Sequence, residues 1–127
     1  KEFQRLFPNI KSDTNLGLAL DAAKEFNISI LLKGANSIVA DNKKVWQLFG
    51  TDSQTARAGL GDLLSGFLAG SSAIDSTFCR NITTDFFAKY VLLHSFAASN
   101  CRGGSNAYAI ADELSKLMRN SKTRVLS

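Results

Sequence analysis

Cysteine, histidine and proline are nearly missing from this chain. Its two cysteines, Cys79 and Cys101, and its one histidine, His94, stand apart in the sequence, with neither metal-ligand spacing nor a catalytic neighbourhood around either thiol. No metal site is predicted, and the thiols read as reduced side chains of a cytosolic protein. No apolar run reaches the length of a membrane-spanning helix, so no membrane partner is expected. Charge of one sign is not concentrated anywhere. Fifteen Lys and Arg are scattered against eleven Asp and Glu, and the net charge of +4 is mild. A nucleic-acid binder would show a basic stripe interleaved with aromatics, and none is present. Internal repeats and low-complexity segments are absent too. What remains is a 127-residue chain that is 45% apolar, enough to bury a core, and so one domain or part of a larger one.

Glycine carries the strongest pattern. Ala58-Gly59-Leu60-Gly61-Asp62 precedes an apolar run that reads as a helix from Leu60 to Ala69. Glycines let backbone approach a ligand and take positive φ. The helix then turns free N–H groups and its positive dipole end toward an anion, with Asp62 in the first turn. The same residues also suit a plain tight loop with an acid at a helix start. Sequence alone leaves both open.

Upstream, Glu2 to Phe7 reads as a short helix ended by Pro8. Ser12 or Asp13 reads as the N-cap of a helix reaching about Glu25, with Asn27 helping to stop it. Ile28 to Leu32 is a nearly continuous apolar strand, as expected in a parallel sheet covered on both faces. Lys33-Gly34-Ala35-Asn36-Ser37 follows at its carboxyl end, where open α/β sheets bind ligands. Lys33 would place a positive charge beside a phosphate, or serve as a solvated strand-edge lysine. Ser37 to Ala40 and Val45 to Phe49 form a hairpin around the turn Asp41 to Lys44. Trp46 reads as a packing residue rather than a ligand platform.

Gly50 to Arg57 reads as a polar segment facing the ligand. Ser71 to Asn81 is expected to be a connection, and Thr83 or Thr84 to cap an almost wholly apolar helix. His94 within it reads as a core histidine making one hydrogen bond, with a catalytic base as the other reading. Asn100 to Gly104 breaks the chain. Ser105 to Met118 is an amphipathic helix with Asp112, Glu113 and Lys116 toward water, followed by a frayed tail or edge strand.

This order resembles the C-terminal half of the ribokinase-like superfamily, and within it the ADP-dependent NAD(P)H-hydrate dehydratase family. The residues that carry the resemblance are Lys33 to Ser37 after a buried strand, Ala58 to Asp62, His94-Ser95-Phe96-Ala97-Ala98 and Ile110-Ala111-Asp112-Glu113-Leu114. Glu2 to Phe7 is similar to the end of a family segment as well. The resemblance implies a three-layer α/β fold, with the chain as the C-terminal portion of a mostly parallel sheet flanked by helices. It implies that the N-terminal part of the same single domain is missing, and that the protein is a cytoplasmic homo-oligomer.

The resemblance also implies roles. Lys33, Gly34, Ala35, Asn36, Ser37 and Gly61 would bind the adenine nucleotide. Ala58, Gly59, Leu60 and Gly61 would form the anion hole. Asp62 would lie by the hydroxyl of the hydrated nicotinamide and act as base in phosphoryl transfer from ADP, with Mg²⁺ neutralising phosphates. Elimination of phosphate would restore NADH or NADPH. Leu60 departs from the family's Thr or Ser, and Asp52 to Ala56 departs from its usual pattern. Two other functions fit the same motif: a small-molecule kinase of the superfamily, and a nucleotide-binding module without catalysis. Activity on ring hydrates rather than alcohols separates the first pair; an Asp62→Asn variant that still binds nucleotide, with no reaction found, favours the module.

Overall fold

The computed structural model describes residues 2–49, 59–78, 83–101 and 106–125. Its elements are α1 (Glu2–Leu6), α2 (Asn15–Phe26), β1 (Ile30–Leu32), β2 (Ser37–Ala40), β3 (Val45–Leu48), α3 (Leu60–Phe78), α4 (Thr84–Asn100) and α5 (Ala107–Val125). The described residues fall into two compact units. One holds the chain up to Phe49 together with Thr83–Ala88; the other holds Gly59–Phe78 and the chain from Lys89 onward.

In the first unit, α1 is a single turn and a half closed by the Phe7 N–H on the Phe3 carbonyl at 2.9 Å. Pro8 follows and cannot continue it. Phe7 stacks obliquely on Phe3 at 5.0 Å and on Phe26 at 5.1 Å, which ties α1 to the end of α2. The cap of α2 is Thr14, not Ser12 or Asp13. Its Oγ1 accepts from the Gly17 N–H at 3.0 Å, while Ser12 Oγ accepts only a long bond from Thr14 N. Asn27 ends the helix in the left-handed region at φ 50°, which asparagine tolerates better than most residues.

That cap also delays the strand. Ile28 and Ser29 are exposed, and β1 starts at Ile30 rather than Ile28. The three strands lie in the order β1-β2-β3, and both pairings are antiparallel. The parallel pairing expected of β1 is not found among the described strands. The loop from Lys33 to Asn36 is too short for anything but a reversal, since a parallel return needs a crossover of a dozen or more residues. Register splits the sheet into two faces. Ile30, Leu32, Ile38, Ala40 and Val45 share one face and pack with Ala19, Ala22 and Ala23 of α2. Leu31, Val39 and Trp46 share the other. The hairpin also bonds to the first turn of α4: Thr84 Oγ1 donates to Asp41 Oδ2 at 3.0 Å.

In the second unit, α3 extends to Phe78, past the connection expected from Ser71. Leu64, Leu68 and Ser71 are buried along it, whereas Gly66 and Gly70 face open space. Helix α4 begins in the first unit, where Thr83 caps it, its Oγ1 accepting from the Phe86 N–H at 3.4 Å. Asn106 caps α5 by accepting from the Ala109 N–H at 3.1 Å. Helix α5 continues to Val125, so the expected frayed or strand-forming tail is helical that far. Ala97, Ala98, Ile110 and Leu114 form the core here, with Leu60, Leu63 and Phe67 against it. Asp112 and Lys116 face water as a pair at 2.8 Å. Glu113 does not: it is half-buried and accepts from Asn100 Nδ2 at 3.1 Å. Among the described residues no helix is long and apolar enough to cross a membrane.

Candidate functional site

The loop after β1 is built by two features. The apolar strand fixes its start, and the buried Ser37 fixes its end by donating to the Gly34 carbonyl at 3.4 Å. Lys33, Gly34, Ala35 and Asn36 between them are exposed. These four residues wall a cavity of about 530 Å³, which falls in the range of small-molecule sites. The rest of the wall is the start of α2 at Thr14, Asn15 and Leu16, and Leu32, Ile38 and Gln47 of the sheet. One amino group, three amide side chains and a helix start therefore converge on one concave surface. Such a set can hold a phosphorylated ligand by charge and by directed hydrogen bonds. Gly34 needs no special backbone, since a Cβ there would make only ordinary contact with the Asn36 carbonyl at 3.7 Å.

The two motif glycines differ. Gly59 has φ +83°, a conformation that only glycine adopts without strain, and its carbonyl accepts the Leu63 N–H at 2.9 Å. Gly61 already lies inside α3, with ordinary helical φ. Leu60 packs on the core of the second unit, which accounts for an apolar side chain between the glycines. Asp62 stands exposed in the first turn of α3 and opens a groove of about 700 Å³ that runs between α3 and α5. Ala58 lies outside the described residues, as do the polar segment 50–57 and Cys79. Thus Lys33 to Ser37 are brought together in the first unit, and Gly59 to Asp62 in the second.

His94 is 7% exposed, and its Nε2 has no hydrogen-bond partner among the described residues. Burial pushes its pKa down, so the imidazole is neutral at neutral pH. Cys101 Sγ donates weakly to the Ala109 carbonyl at 3.6 Å. No cluster of three or more His, Cys, Asp or Glu side chains able to hold a metal ion exists among the described residues.

Sequence reasoning missed the three polar cavity residues Thr14, Asn15 and Gln47, and the apolar Leu16, Leu32 and Ile38 beside them. Thr14 was hidden because Ser12, Asp13 and Thr14 are all good caps; the first apolar helical residue, Leu16, is the signal that selects it. Trp46 was also incompletely read. It is 41% exposed, and its Nε1 donates to Asp85 Oδ1 at 2.6 Å. The same carboxylate takes the Lys44 ammonium at 2.7 Å.

A cavity at the loop after β1, and a glycine turn at positive φ before an acidic helix start, are the two features of this α/β chain whose chemistry suits an anionic ligand. The chain belongs to the NAD(P)H-hydrate dehydratase family, whose sequence model matches residues 1–120. It is 43% identical over 68 residues to a bifunctional NAD(P)H-hydrate repair enzyme Nnr of Gloeobacter violaceus, a match covering 53% of this chain and 13% of that protein. The corresponding enzyme of Synechocystis is 36% identical over 70 residues, covering 54% and 13%. An ADP-dependent (S)-NAD(P)H-hydrate dehydratase of Nitrosopumilus maritimus is 35% identical over 72 residues, covering 54% and 25%. The chain therefore matches a quarter or less of the length of these relatives.

Proposed function

We propose that this chain carries the nucleotide loop and the acidic helix start of an ADP-dependent NAD(P)H-hydrate dehydratase. In this reading it is the C-terminal part of a three-layer ribokinase-like domain whose whole sheet is mostly parallel, in a cytoplasmic homo-oligomer. The observation that carries the reading is the cavity walled by Lys33, Gly34, Ala35 and Asn36, in a chain of that family. Lys33 offsets phosphate charge, and the amides of Asn15, Asn36 and Gln47 supply directed bonds to the nucleotide. Gly59 to Gly61 present backbone N–H groups to the transferring phosphate.

Asp62 acts as the base. It takes the proton of the ring hydroxyl as that oxygen attacks the β-phosphorus of ADP; the bond to the α-phosphate breaks, and AMP leaves. The C–O bond of the new phosphate ester then breaks, with loss of a proton from the neighbouring ring carbon. Inorganic phosphate leaves, and the ring double bond of NADH or NADPH is restored. The exposure of Asp62 suits this role, because a base must reach its substrate. Mg²⁺ fits only as a companion of the nucleotide, because Mg²⁺ is commonly held by one or two carboxylates plus substrate phosphates, and the described residues lack a cluster that would hold it alone. When bound it would neutralise phosphate charge, and no step here depends on it.

The test is recovery of NADH absorbance from hydrated NADH by the full-length protein with ADP and Mg²⁺. Asp62→Asn is expected to lower turnover by about 10²-fold or more, the contribution of a positioned base, while ADP binding persists. Phosphorylation of a simple alcohol with no action on the hydrate would overturn the reading in favour of a kinase.

A further inference from the structure

We infer that Asp85 is a positioning residue for the nucleotide cavity, acting through Trp46; this rests on the proposed function. The cavity wall and the Asp85 cluster meet at two adjacent residues of β3, Gln47 and Trp46. Gln47 lines the cavity and pairs with Ile38, which also lines it. Trp46, one residue earlier, pairs with Val39 on the opposite face of the same sheet. Alternation along a strand puts the two side chains on opposite faces, but they share one backbone.

That backbone is held from the far face. Asp85 accepts from Trp46 Nε1 at 2.6 Å and from Lys44 Nζ at 2.7 Å, and the same ammonium sits 5.1 Å above the Trp46 ring. These bonds to Lys44 and Trp46 hold the Asp85 carboxyl below its usual range. Next to it, burial raises the Asp41 carboxyl, but the N–H groups of Lys43 and Lys44 and the Thr84 hydroxyl outweigh that and lower it. Two carboxylates thus fasten both ends of the hairpin turn to the first turn of α4. Nothing else described on the far face bonds to the Trp46 side chain except this pair of residues, Lys44 and Asp85. Without Asp85, β3 loses the fixed point beside Gln47, and the cavity wall loosens while the loop and Asp62 remain intact.

The experiment uses the full-length protein and reads ADP binding by calorimetry together with steady-state KM and kcat. Asp85→Ala is expected to weaken ADP binding and raise its KM about threefold to fivefold, the size of a lost exposed ion pair with its hydrogen bond. Turnover at saturating ADP should stay within about twofold. Asp85→Glu, which keeps the acceptor, should restore much of the affinity. Trp46→Phe keeps a ring and removes only the donor; it is expected to reproduce the rise in KM, and it decides the matter should Asp85→Ala fail to fold. If wild-type protein does not bind ADP, the proposed function itself fails. If it binds ADP and folded Asp85→Ala and Trp46→Phe bind it equally well, the positioning role is refuted. A fall in kcat with unchanged KM refutes it too.

Discussion

Replacing Gly17 by alanine pits helix propensity against the cap of α2. Gly17 is the third residue of that helix, and alanine in place of glycine in a helix interior is worth up to about 1 kcal/mol. The surroundings oppose the gain. A Cβ at Gly17 would run into the Ser12 hydroxyl, and would lie 3.0 Å from Ser12 Cβ and 3.1 Å from Thr14 Oγ1. The Ser12 hydroxyl is exposed and can rotate away at little cost. The Cβ of Ser12 cannot do so without moving backbone, and Thr14 Oγ1 is the acceptor for the Gly17 N–H. Displacing that cap costs about 1 kcal/mol, and the shift of the 12–14 segment adds to it. The balance is a net loss of about 1 kcal/mol, or roughly 4 °C in Tm for a chain of this size. Thermal melts of Gly17→Ala, Ser12→Gly and the double variant measure it. Ser12→Gly removes both Ser12 atoms, so the alanine should then be neutral or stabilising, with a coupling of about 1 kcal/mol. A higher Tm for Gly17→Ala alone would show that the crowding around Gly17 is not real.

Two further outcomes follow from single residues. His94 has its pKa lowered by burial, so the unfolded chain takes up its proton first as pH falls; stability should be full above about pH 6.5 and decline below it, and His94→Gln should flatten that decline in melts taken across pH. Asn27 sits at φ 50° and its Oδ1 accepts from Asn42 Nδ2 at 2.6 Å; Asn27→Gly and Asn27→Ala both lose that exposed bond, and Asn27→Ala should cost about 1 kcal/mol more than Asn27→Gly in denaturant titrations.

Local chemistry made much of this legible from sequence. The turn Asp41 to Lys44 specified the hairpin, because Asp41 Oδ1 takes the N–H groups of both Lys43 and Lys44 at 2.7 Å. Asn27 signalled the end of α2, and the glycine pair signalled the turn before α3. Strand direction was not legible: an apolar run such as Ile30 to Leu32 reads the same in either sheet type, and only the length of the following loop decides its described neighbour. Helix ends were misjudged where small residues mimic a break. Gly70, Ser71 and Ser72 suggested a connection, yet Ser71 is buried within a continuous α3. In α5 no glycine or proline interrupts the chain after Asn106, and helix continues to Val125. The Asp85 cluster was invisible because its members are about 40 residues apart.

The role of Asp62 and the Lys33 loop is tested most directly by following products rather than NADH alone. With full-length protein, hydrated NADH and ADP, the AMP, inorganic phosphate and NADH formed should appear in equal amounts, and all three should vanish together in Asp62→Asn. NADH returning without AMP, or AMP forming in the absence of the hydrate at the same rate, would contradict phosphoryl transfer from ADP to the ring hydroxyl.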